Sequence, residues 1–123
     1  MRKILIAAIM LLWAGVAAAQ HSHSSSKGPN GGVVQDLAGV HAELVLTGNV
    51  VTINLLDESN KPTSAKGFTG SVLIVAGATR ETVQLAASGD SSLKGMAKAD
   101  LPAGSQVTLV LKNPDGKSGQ VKF

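Results

Sequence analysis

The chain of 123 residues contains no cysteine and no tyrosine. Absence of cysteine excludes disulfide staples, thiolate metal sites, redox pairs and cysteine nucleophiles, so a folded domain here stands on its core alone. Aromatic residues are scarce, with one tryptophan and two phenylalanines. Only Phe68 and Phe123 lie beyond Trp13, and Lys61, Lys66, Lys94, Lys98, Lys112, Lys117 and Lys122 are dispersed along the chain. Nucleic-acid binding draws on a basic stripe and stacking rings, and neither is present. Beyond Met10 the one methionine is Met96; copper(I) handling of the Met-rich kind needs several soft ligands, so Met96 reads as gap-filling core. No G-x-S-x-G element occurs, and the Asp57-Glu58-Ser59-Asn60 run lacks the spacing of a calcium loop. Enzymatic activity is not expected.

What is present begins with the leader. Arg2 and Lys3 precede an apolar run from Ile4 to Trp13, followed by Ala17, Ala18 and Ala19. A basic start, a short apolar stretch and small residues at a cut are the pattern of a secretory signal peptide. The run is too short for a membrane span, which needs about 20 apolar residues. Residues 1–19 are therefore expected to be removed, leaving 104 of the 123. The formal charge of +3 includes Arg2 and Lys3, so the remainder carries +1 and the basic balance belongs mostly to the leader. The expected destination is the periplasm, with secretion as the alternative.

Residues 20–30 carry His21 and His23 among serines and contain no large apolar side chain. Such a stretch cannot bury enough surface to offset its ordering entropy and reads as a flexible tail. From Pro29-Asn30-Gly31-Gly32, a strong turn signal, the chain changes character. Short β-rich runs follow at Val33–Leu37, Val40–Leu46, Val50–Asp57, Phe68–Val75, Glu81–Leu85, Ser91–Ala97, Gln106–Leu111 and Gly119–Phe123. Glycine, asparagine, aspartate and proline punctuate them. Ala42, Leu44 and Leu46 alternate with His41, Glu43 and Val45, and Val51, Ile53 and Leu55 alternate with Thr52 and Asn54. Such alternation predicts half-buried strands. The expected fold is all-β, a single antiparallel β-sandwich of about seven to eight strands, immunoglobulin-like or related, over residues 31–123. Met96 to Leu101, stopped by Pro102, is the one place where a short helix could replace strand.

Three histidines carry what chemistry the sequence offers. Cu(II), Ni(II) and Zn(II) all accept imidazole nitrogen, copper most tightly. A cut after Ala18 places His21 third from a free amine, a position that can wrap square-planar copper or nickel. A cut after Ala19 instead leaves Gln20 first, where it can cyclise and remove that amine. His41 is the histidine inside the folded part, and Glu43, two residues on, leaves the strand on the same face. An imidazole and a carboxylate so placed offer two ligands, which His21 and His23 could complete; Asp36 is a further candidate if its strand pairs with that of His41. The plainer reading is a polar linker with idle histidines, and a half-exposed His41 paired with Glu43.

The run Pro29-Asn30-Gly31-Gly32, then Ala38-Gly39-Val40-His41-Ala42-Glu43-Leu44, then Asp57 to Pro62, Lys66-Gly67 and a valine-rich strand resembles two groups of proteins. One is a set of small, mostly uncharacterised proteobacterial periplasmic proteins. The other is the β domain near the N-termini of some heavy-metal efflux adaptor (membrane fusion) proteins. The likeness covers roughly residues 28–112. His41 and Glu43 match a recurring His-x-Glu-Leu run, whereas Asn30 stands where the adaptor domains often carry a histidine before the Gly-Gly pair. The resemblance implies a free-standing accessory module, since the helical hairpin and lipoyl-like half of an adaptor are absent from this chain. It also implies a divalent metal and an efflux-system partner.

Two functions follow as expectations. The first is a periplasmic accessory protein binding Cu(II), Ni(II) or Zn(II) through His21, His23, His41 and Glu43, for sequestration or delivery to an efflux system. The second is a metal-independent interaction or structural module of the cell envelope. Mass spectrometry of the exported protein is expected to find an amino terminus at Ala19 or Gln20. Recovery of the chain with Met1 to Ala18 still attached would contradict the signal-peptide reading.

Overall fold

A computed structural model describes residues 26–123, so the expected signal peptide and both His21 and His23 lie outside the described residues. The described chain is antiparallel β throughout. Its strands are β1 (Ser26–Lys27), β2 (Val33–Leu37), β3 (Val40–Thr47), β4 (Val50–Leu56), β5 (Thr69–Ala76), β6 (Thr79–Ser88), β7 (Ser92–Met96), β8 (Gln106–Lys112) and β9 (Ser118–Lys122). Each of the eight expected runs is a strand, with ends moved by a residue or two except in β6, which is twice the length expected. The short strand β1 and the turn after it fall inside the stretch expected as tail. Residues 97–101 form no helix; β7 simply ends at Met96.

In place of the expected immunoglobulin-like sandwich, the strands hydrogen-bond in one nine-stranded sheet, in the order β1-β2-β3-β4-β7-β6-β5-β8-β9, curled into a half-barrel. The physical reason lies in β6. Its residues Thr79 to Leu85 pair with β5, and Ala86 to Ser88 then pair with β7, so one strand carries the ladder around the corner. Gly95 permits the tight approach there, because a β-carbon on it would run into Val83 and the Gln84 carbonyl. The far ends of the sheet come near one another as well. Asn113 Nδ2 donates to the Ala38 carbonyl at 3.3 Å, and Gly119 lies against Leu37 and Ala38.

The inner face is almost wholly aliphatic. Ala42 and Leu44 from β3, Val51, Ile53 and Leu55 from β4, Leu93 from β7, Val72 and Ile74 from β5, and Val107, Leu109 and Leu111 from β8 form one buried cluster. Phe68 and Phe123, the two rings among the described residues, pack against it only partly buried. Each buried Val, Leu or Ile contributes about 1.5–3 kcal/mol, and this cluster carries the fold without covalent help.

Met96 corrects its expectation. It is 69% exposed, because the pairing of Val50 with Met96 turns it to the outer face beside Lys94, while Leu93 and Gly95 face inward. Accordingly, Leu93→Ala is expected to lower the unfolding free energy by about 2–5 kcal/mol in urea titration. Met96→Ala should stay within about 0.5 kcal/mol of the parent. Equal losses in the two variants would contradict this assignment of faces.

Candidate functional site

The registers around β3 arrange the outer face into rows. Asp36, His41 and Leu56 lie side by side across β2, β3 and β4; Val34, Glu43 and Asn54 form the next row, which continues to Ser92 on β7. Outward does not mean exposed here. Glu43 has no exposed surface, and Val34 and Leu56 are buried although they lie outside the inner cluster. Glu43 is the one charged side chain buried among the described residues.

The segment Gly28-Pro29-Asn30-Gly31-Gly32 folds over that carboxylate as a strap. Gly28 N donates to the Gly32 carbonyl at 2.8 Å and Gly31 N to the Gly28 carbonyl at 3.1 Å, so the strap is closed on itself. Three of its N–H groups then converge on Glu43: Asn30 N at 2.9 Å and Gly32 N at 3.0 Å on Oε2, and Asn30 Nδ2 at 2.6 Å on Oε1. From the sheet, Asn54 Nδ2 approaches Oε1 at 3.5 Å, and Ser92 Oγ donates to Asn54 Oδ1 at 2.7 Å. The buried carboxylate is met by donors on both oxygens, which is the condition for leaving water without heavy cost. Glycine is required at both ends of the strap. A β-carbon on Gly28 would sit in the Glu43 carboxylate, and one on Gly32 would strike the Leu44 carbonyl.

His41 is held between two acceptors instead. Its Nε2 lies 3.0 Å from Asp36 Oδ1, and its Nδ1 lies 3.2 Å from Asn60 Oδ1. A ring with a single proton donates to one of these, and the Asn60 amide, turned about its last bond, can present its NH2 to the other. Asn60 reaches the ring because the turn after β4 is locked. Asp57 Oδ1 accepts from Ser59 N at 2.8 Å and Lys61 N at 3.0 Å, and Asn60 itself takes a positive φ of 60°. Asparagine tolerates that conformation better than most residues. The imidazole lines a shallow depression of about 300 Å³ together with Asp36, Leu37, Gly39, Val40 and Glu58. The side chain of His41 is 27% exposed and that of Asp36 80% exposed, so the pair is reachable from solvent.

Of the residues the sequence pointed to, the structure brings Asp36 and His41 into contact, through the pairing of β2 with β3. Glu43 lies in the next row, with both of its oxygens engaged by strap and sheet. Among the described residues, no three His, Asp or Glu side chains converge as a ready metal cage. The partners Asn30, Asn54, Asn60 and Ser92 were not singled out beforehand as members of the site. Asn54 carried the one available signal, its place on the outward phase of β4; the others depend on register and on loop geometry. Comparison with family models, with curated proteins and with solved structures finds no match to this chain.

Proposed function

We propose that the protein is an exported accessory module of the cell envelope that holds Cu(II), Ni(II) or Zn(II) for sequestration or for delivery to an efflux partner. The observation that carries the reading is the Asp36–His41 pair, an imidazole nitrogen and a carboxylate oxygen 3.0 Å apart at the edge of an open depression. Metal–nitrogen and metal–oxygen bonds are about 2.0–2.2 Å long, so two such ligands at roughly a right angle stand about 3 Å apart. That spacing suits the tetragonal preference of Cu(II) and Ni(II), and Zn(II) would need a small opening of the pair. The ion would take the place of the direct contact between the two groups.

His21 and His23 would complete the coordination. The chain enters the sheet at Ser26, opposite Val34, and Val34 is two residues from Asp36 along β2. Three residues span at most about 10 Å when extended, a reach that would suffice for His23 to complete the pair. Glu58, which lines the same depression, offers a further oxygen. The efflux partner is the part of the proposal that rests on the sequence resemblance to the β domain of heavy-metal efflux adaptors alone.

Calorimetric titration of the protein as its own cell processes it, with each of the three ions, tests the reading. The expectation is binding tighter than about 1 mM, weakened roughly tenfold or more by His41→Ala or Asp36→Ala and weakened further in His21→Ala/His23→Ala. No binding at that concentration would contradict the metal role. Loss in the double variant alone would reduce the site to an amino-terminal chelate. Capture of a specific envelope protein by metal-free protein, with no metal bound, is the result expected of a metal-independent module.

A further inference from the structure

We propose that the Gly28–Gly32 strap is a gate over a third metal ligand, Glu43, so that strap closure and full metal coordination compete for one carboxylate. The proposal rests on the metal reading of Asp36 and His41 and adds a mechanism to it. His41 and Glu43 are two residues apart on β3 and project from the same face, and Asp36 is the cross-strand neighbour of His41 on that face. Were the Glu43 carboxylate free, an imidazole and two carboxylates would share one patch of sheet. It is held back by the strap.

Three of the four donors to Glu43 belong to the strap, and the fourth, from Asn54, is long at 3.5 Å. The availability of the carboxylate is therefore set almost entirely by the strap. The strap closes its own backbone through the Gly28–Gly32 and Gly31–Gly28 bonds, which lets it move as a unit. Among the described residues, its N-terminal side is tied to the sheet by the two pairs of β1, Ser26 with Val34 and Lys27 with Val33. Displacing it leaves the inner cluster and the pairing of β2 with β3 intact, and small peripheral segments of this kind open at the low end of a protein's stability range.

Opening strips Glu43 of its three best donors and uncovers a negative charge beside His41. A divalent ion already on His41 and Asp36 supplies the missing partner and takes the carboxylate as a ligand; zinc accepts this nitrogen and oxygen set. Strap and ion are thus linked with opposite sign. Whatever loosens the strap tightens metal binding, and metal binding loosens the strap.

The test uses zinc(II) with the full processed protein, read by calorimetry and by amide exchange. Asn30→Ala removes the shortest donor, the 2.6 Å bond from Nδ2, and leaves all candidate ligands in place. It is expected to bind zinc roughly tenfold more tightly, because the closed strap no longer taxes the bound state as heavily. Glu43→Gln, which removes the ligand charge, is expected to bind roughly tenfold more weakly. In the parent protein, zinc should accelerate exchange of the Asn30 and Gly32 amides. Unchanged affinity in Asn30→Ala, or amides that keep their protection in the presence of zinc, would overturn the gate and leave Glu43 as a structural anchor beside an intact metal site. Failure of all three proteins to bind zinc would remove the metal reading itself.

Discussion

A carboxylate taken out of water must be met by donors, and the outer face of this protein is organised around meeting one. Glu43 stands on the side of β3 that the alternation assigns to solvent, yet it is fully buried. The strap exists in its particular shape because of it: glycines at 28 and 32 where no β-carbon fits, and Asn30 donating twice, from backbone and side chain. Through Asn54 the same carboxylate is joined to Ser92, three strands into the sheet from β2. Removing the carboxylate would take away the shared acceptor of the part-buried donors of Asn30, Gly32 and Asn54.

The two faces of the sheet divide the labour. The inner face is packed with Val, Leu, Ile and Ala and holds the half-barrel together with neither disulfide nor buried aromatic ring. It needs no polar group, and so it can tolerate what happens on the other side. On the outer face polar side chains are set by pairing register and by two short loops, the strap and the turn at 57–61. That arrangement lets a loop move without disturbing the core. The Asp36–His41 pair sits where the 57–61 turn meets the end of the β2–β3 hairpin.

Strand positions were legible because the apolar alternation and the turn residues agree; Ala42, Leu44, Val51, Ile53 and Leu55 point inward as their spacing predicts. The shared face of His41 and Glu43 was legible for the same reason. Less accessible was anything set by pairing between distant segments. The burial of Glu43 depends on Gly28–Gly32 folding back across β3, a contact between residues 11 and 13 apart in the chain that no periodicity encodes. Asn60 meets His41 through a turn locked by Asp57, and a run of acidic and amide residues in a turn carries no mark of that aim. The single continuous sheet followed from the length of β6, which extends past its apolar stretch through Ala86, Ala87 and Ser88. Met96 was misjudged because one residue of register decides between core and solvent on a strand.

The central claim is that the Glu43 carboxylate holds the strap in the metal-free protein. Amide hydrogen exchange at Asn30 and Gly32, compared between the parent and Glu43→Ala without any metal, tests it most directly. The account predicts slow exchange at both amides in the parent and rates near those of an open peptide in the variant, with the inner strands β4 and β8 still protected. Equal, fast exchange in both proteins would contradict it, because the strap would then be free of the carboxylate that the whole outer face is built around.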